Sequence, residues 1–166
     1  MNDSIAKHFL ELSAGRLEGS SSRLDDCLSR LTHEQLWWRA AESQNAVANL
    51  VLHLCGNLRQ FAAAVENRPD TRDRDREFSS RLTATGDEIR QLLKTSVTAA
   101  VAVMRSLPPS RLTEVIRIQN NDRELMLLIY MVAAHFSEHT GQVVYATKLM
   151  SSPEFASLAH LNKPKA

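Results

Sequence analysis

Apolar residues recur at helical spacing along four long stretches of this chain. The most regular is Leu125–Met150, LMLLIYMVAAHFSEHTGQVVYATKLM. Within it Leu128, Val132, His135, His139, Gln142 and Ala146 follow one another at steps of 4, 3, 4, 3 and 4. Residues that face a bundle core have that spacing. The seam therefore predicts one long helix with two histidines at core positions.

Three further segments carry the same period. From about Ser4 to Leu31, apolar positions include Ile5, Phe9, Leu12, Leu17, Leu24, Cys27 and Leu28. Gly15, Gly19 and the Ser20–Ser22 run weaken this stretch and predict a kink or a close helix contact there. A second helix is expected over about Gln44 to Val65, with Ser43 or Asn45 as its N-cap. Its seam runs through Ala46, Leu50, His53, Asn57, Phe61 and Ala64. A third fits Gly86–Leu107, ended by Pro108 and Pro109. Asn121 or Asp122 is the expected cap of the last helix.

The connections are shorter signals. Thr32 and Gln35 form a capping box for a brief helical turn. Trp37 and Trp38 are adjacent, so one is expected to pack while the other covers a surface or an interface. Glu66–Glu77, ENRPDTRDRDRE, holds four arginines and five acids and reads as a solvated, charge-balanced loop. The alternative is that Arg72, Arg74 and Arg76 supply guanidinium forks for a carboxylate ligand or a partner chain. Phe78 would anchor that loop. Arg111–Asn120 alternates apolar and polar residues and suits a short extended arm. The fold class expected is all-α: a four-helix bundle occupying residues 1–150 as a single domain, with a short C-terminal tail over residues 151–166.

Composition narrows the function classes. Hydrophobic residues make up 43% and charged residues 23%, ordinary for a soluble globular protein. Only 5 Gly and 5 Pro occur, few for a β-rich fold. A net charge of +1 supplies no basic field for nucleic acid or an anionic membrane. The longest apolar run, Leu125 to Ala134, is about half of a membrane span. The N-terminal stretch lacks an apolar signal-peptide core, so a cytoplasmic location is expected. Cys27 and Cys55 show no disulfide or zinc-ribbon spacing and read as small apolar residues. Gly-rich phosphate loops, GxSxG and CxxC pairs are missing, which removes nucleotide-binding, serine-hydrolase and zinc-finger readings.

The chemistry lies in the histidines. His135 and His139 stand one turn apart on a helix, so both imidazoles can address one object. They are either core or edge histidines with hydrogen-bond partners, or two ligands of a metal site. His53, inward on a separate helix, is the candidate third ligand. Asn57 shares its face one turn on. Gln142 lies on the seam beyond His139, and it either orients a ligand histidine or fills the core. Glu138 sits about 100° round the helix from His139 and reads as rim or surface. Three neutral imidazoles suit a divalent transition metal such as zinc, nickel, copper or iron and leave its charge uncompensated. A bound water would then be activated for attack on an electrophile.

HLCGNLRQF in the second helix, RDREF after it and AAHFSEHTGQVVYATKL in the fourth resemble the DinB/YfiT-like superfamily, in an uncharacterised bacterial branch. The resemblance runs over about Leu24 to Met150. It implies up-down-down-up connections and a three-histidine divalent metal site, here His53, His135 and His139. It implies a metal-dependent thiol transferase or hydrolase, or a bundle of no established activity, and often a homodimer. Asn57, Gln142, Tyr145, Glu138, Arg72 and Arg74 would then surround the metal or line the substrate pocket. Glu138 departs from the bulky or aromatic residue expected between the paired histidines. A non-catalytic metal- or ligand-binding dimer and a purely structural, metal-free bundle are the competing readings.

Overall fold

A computed structural model describes residues 2–151. The expected tail beyond Ser151 lies outside the described residues. Four long helices form a bundle: α1 (Asp3–Arg30), α3 (Val47–Val65), α5 (Gly86–Ser106) and α6 (Leu125–Met150). Two short helices, α2 (His33–Trp37) and α4 (Arg74–Ser79), sit in the connections. The all-α expectation holds, and α1 runs unbroken past both of its glycines.

α1 packs against α5 and α6, and α3 packs against the same two, so α1 and α3 lie diagonally across the bundle. Local contacts fix the directions. Gln35 Nε2, just past α1, donates to Met150 O at the end of α6 (2.8 Å), which makes α1 and α6 parallel. Arg105, in the last turn of α5, donates to Glu11 (2.6 Å) and Glu18 (2.7 Å) of α1, so α5 runs the other way. Arg111 Nη2 donates to Val65 O at the end of α3 (3.1 Å). Three residues on, Glu114 O accepts from Leu125 N at the start of α6 (2.8 Å). α3 is therefore antiparallel to α6. The order is up-down-down-up.

That order has a structural consequence. α3 and α5 are consecutive yet parallel, so residues 66–85 must travel back along α3, a helix about 28 Å long at 1.5 Å per residue. This connection is not the solvated loop its composition suggests. Residues 74–79 form α4, and Asn49 pins it to α3 through Nδ2, which donates to Glu77 O (2.9 Å) and Ser80 O (3.1 Å).

The α6 core face is offset by one position from the sequence seam. Leu125, Ile129, Val132, Phe136, Thr140, Val143 and Thr147 are buried, whereas His135 and His139 are half-buried and Gln142 is exposed. Two threonines disguise the true stripe. Their hydroxyls donate to Phe136 O (2.7 Å) and Val143 O (2.8 Å), which lets them pack as small core residues.

Helix caps differ from expectation in two places. α3 starts from Ala46, whose N–H donates to Asn49 Oδ1 (3.2 Å), rather than from Ser43 or Asn45. Asn121 and Asp122 belong to a strand, and Glu124 is the N-cap of α6. The expected extended arm is β1 (Val115–Ile118), paired antiparallel with β2 (Asn121–Glu124). Gln119 and Asn120 turn between them with φ of 49° and 61°, the left-handed conformation a two-residue hairpin turn requires. The Thr32/Gln35 capping box forms as expected. Trp37 packs, its Nε1 donating to Ala84 O (3.0 Å), and Trp38 is exposed.

Candidate metal centre

His53, His135 and His139 converge where α3 faces α6. One ring nitrogen from each lies within 4.8 Å of the others. The rings meet edge-on, with centroids 4.5 to 5.3 Å apart. Nε2 of His53 faces Nε2 of His135 at 2.9 Å.

The far nitrogens of His53 and His139 are occupied. His53 Nδ1 lies 3.1 Å from Glu77 Oε2. Arg72 Nη2 reaches the same Nδ1 at 2.9 Å, so this nitrogen stands between a carboxylate that only accepts and a guanidinium that only donates. His139 Nδ1 lies 2.7 Å from Gln142 Oε1, and since an amide oxygen only accepts, Nδ1 carries the proton and Nε2 keeps its lone pair. A ligand histidine tied through its other nitrogen to a carboxylate or amide oxygen is the usual supporting arrangement of a metal site.

Glu77 is itself held tightly. Arg72 Nε donates to Oε1 and Arg72 Nη2 to Oε2, both at 2.8 Å, forming a bidentate pair. The two side chains are 5% and 7% exposed, so this ion pair is buried. Arg72 Nη1 also donates to Gln60 Oε1 (2.9 Å). Burial alone would raise the Glu77 carboxyl, but hydrogen bonds and charge from Arg72 and His53 bring it below the ordinary carboxylate value. The pair crosses α3 at Gly56, where an added Cβ would overlap Glu77 Oε1 and crowd Arg72 Nε. Glycine is required there by close approach.

His135 is pushed down to about 4, first by burial and then by the charges of His139, His53, Arg72 and Arg74. It is therefore neutral at pH 7, the form that ligates a metal. Cys27 and Cys55 are buried and free, and burial raises them to about 11 and about 12. Neither supplies a reactive thiolate.

A cavity of about 230 Å³ opens beside His53 and His135. Asn57, Arg72, Arg74, Gln119, Arg123 and the apolar side chains of Leu128, Met131 and Val132 contribute to its wall. Of the other residues singled out from the sequence, Glu138, Tyr145 and Arg76 are exposed and do not line it. Glu77, Gly56 and Arg123 were not singled out. Glu77 lies inside the RDREF motif, and an interior glycine in a good helix is itself a signal of close contact.

The donor set fits a divalent metal. It comprises three imidazoles, one nitrogen of each within 4.8 Å of the others, beside a cavity.

Comparison with known proteins gives a family and a fold. Residues 4–163 match a family described as "Protein of unknown function (DUF1572)". A DinB-like protein from Bacillus subtilis, YjoA, has a crystal structure that superposes with a TM-score of 0.67 at 16% identity. The match covers 87% of this chain and 95% of that one. The expected DinB/YfiT-like fold holds. No curated protein matches the sequence.

Proposed function

The chain belongs to the DUF1572 family of proteins of unknown function, and on that premise we propose that it binds one divalent metal ion through His53, His135 and His139. The observation that carries this reading is the convergence of the three rings, one nitrogen of each lying within 4.8 Å of the others beside a cavity. Gln142 on His139 Nδ1 leaves the Nε2 of that ring to ligate. A structural role for the histidines would need the hydrogen bond between His53 and His135 and nothing from His139.

A divalent ion held by three neutral imidazoles supplies Lewis acidity that lowers the pKa of a water or thiol in an open position. The activity proposed is accordingly a metal-dependent transferase using a low-molecular-weight thiol, or a hydrolase. The chain's own residues define its limits. Both Glu77 oxygens are taken by Arg72 and His53, so Glu77 orients a ligand and is not a general base. Glu138 is exposed on the outer side of α6. Both cysteines are buried, so a thiol nucleophile must come from a second molecule. Leu128, Met131 and Val132 give the cavity one dry wall against which an electrophile can pack.

The second reading is a non-catalytic metal- or ligand-binding bundle that works as a homodimer. Leu127, Tyr130, Tyr145 and Leu149, all exposed on α6, favour a partner surface. Among the described residues no helix is long and apolar enough to cross a membrane.

A thermal-shift screen tests the catalytic reading. Metal-loaded protein is heated with bacillithiol, mycothiol or glutathione, and a true cosubstrate raises the midpoint by mass action. If no thiol shifts the loaded protein and no ester or amide is hydrolysed, the non-catalytic reading replaces it.

A further inference from the structure

We propose that the cavity beside the histidines is an oxyanion site in which Arg74 and Arg123 hold the carboxylate or phosphate head of a small organic anion. The inference deepens the metal-site reading and rests on it for the ligand's second contact. The charge balance of the wall carries the first part. Among the described residues three arginines line the cavity, and no carboxylate does. Arg72 is neutralised by Glu77. Arg74 and Arg123 have no carboxylate partner among the described residues. The wall thus carries two uncompensated positive charges before any metal is counted, and clefts of one sign concentrate ligands of the other.

The placement of Arg123 is the second, independent observation. It pairs directly with Ile116 across the hairpin, so the two side chains share a face. That face is the buried one: Ile116 and Ile118 are 9% and 8% exposed. An arginine therefore stands on the inward side of β2, at a position where alternation calls for an apolar residue. It is the half-buried member of an otherwise exposed strand, and it opens into the cavity. Arg74 approaches from the opposite connection. Its guanidinium carbon lies 5.8 Å from the Phe78 ring, which itself stacks 4.7 Å from the His53 ring. Two arginines from separate elements thus line one small space, Arg74 exposed at its rim and Arg123 half-buried, and planar forks suit oxyanions.

Size and lining define the rest of the ligand. About 230 Å³ admits a small molecule, not a peptide or nucleotide chain. Leu128, Met131 and Val132 take an apolar body, and the histidines lie within its reach. The ligand is an amphipathic anion with its head at Arg74 and Arg123.

Calorimetric titration of the full-length protein tests this, with and without zinc, using benzoate, phenyl phosphate and benzamide as the uncharged control. Benzoate or phenyl phosphate is expected to bind at least about tenfold more tightly than benzamide, since charge-assisted hydrogen bonds carry that much. Which of the two binds identifies the head as carboxylate or phosphate. Arg74→Gln and Arg123→Gln are each expected to weaken the anion about tenfold or more while zinc content stays unchanged, and Arg123→Lys is expected to recover part of the loss. Arginine-dependent anion binding by protein that takes up no zinc would keep this site and remove the metal reading. Anions that bind no better than benzamide, or a folded double variant with unchanged anion affinity, would overturn the proposal.

Discussion

Glu77 and His53 lie 24 residues apart in sequence, yet Oε2 of the one stands 3.1 Å from Nδ1 of the other. The contact exists because α3 and α5 run parallel, which forces the connection between them back along α3. Glu77→Gln keeps the shape and removes the charge. Metal affinity is expected to fall about 10–100-fold, the usual effect of losing such a support. Arg72 would then be buried without its anion, so stability is expected to fall by about 3–5 kcal/mol. Urea denaturation and competitive metal titration read the two effects separately. A variant with unchanged stability and affinity would show that the ion pair supports neither fold nor site.

Gly56→Ala tests the same relationship from the helix side. Its Cβ would occupy the space of Glu77 Oε1. A helical Gly→Ala change ordinarily stabilises by about 1 kcal/mol. Here a loss of about 1–3 kcal/mol is expected instead, because the Arg72–Glu77 pair must shift. Thermal or urea unfolding decides by the sign alone.

The helical segments were legible because their apolar residues keep one period over many turns, and the inward position of His53 was legible for the same reason. The one-position error on α6 came from Thr140 and Thr147, which look polar in sequence but satisfy their hydroxyls within the helix. Glu77 was hidden for a different reason. A balanced run such as ENRPDTRDRDRE looks the same whether it is solvated or folded back as a buried ion pair, and only the tertiary path decides. The β2 strand, NDRE, has no apolar residue to announce it, so Arg123 could not be placed.

The offset on α6 makes its own prediction. Phe136 is 1% exposed, whereas its neighbour His135 is half-buried at the cavity. Phe136→Ala is expected to cost about 3–5 kcal/mol in stability, the usual range for an emptied aromatic core position. His135→Ala should leave the metal-free fold far less affected. Equal losses in denaturant titrations would restore the seam through the histidines.

Acid stability follows from His135. Its ordinary value of 6.5 falls to about 4 in the folded protein, chiefly through burial. Between those values the unfolded chain binds a proton that the folded chain refuses, so stability is expected to decline as pH drops from 6.5 toward about 4. Above 6.5 this group contributes no slope. Glu77, held below its ordinary 4.5, adds a further loss as pH falls through its folded value. His135→Asn should flatten the upper part of the profile. Unfolding midpoints of metal-free protein from pH 7 to 4 check this, and an unchanged slope in the variant would assign the acid sensitivity elsewhere.

The central claim, one metal ion on three histidines, is tested most directly by titrating cobalt(II) into metal-free protein and following its visible absorption. The expected result is an endpoint at one ion per chain, with the high-affinity phase lost in each of His53→Ala, His135→Ala and His139→Ala. A wild-type protein that shows no saturable cobalt binding, or one whose endpoint survives all three substitutions, would contradict it.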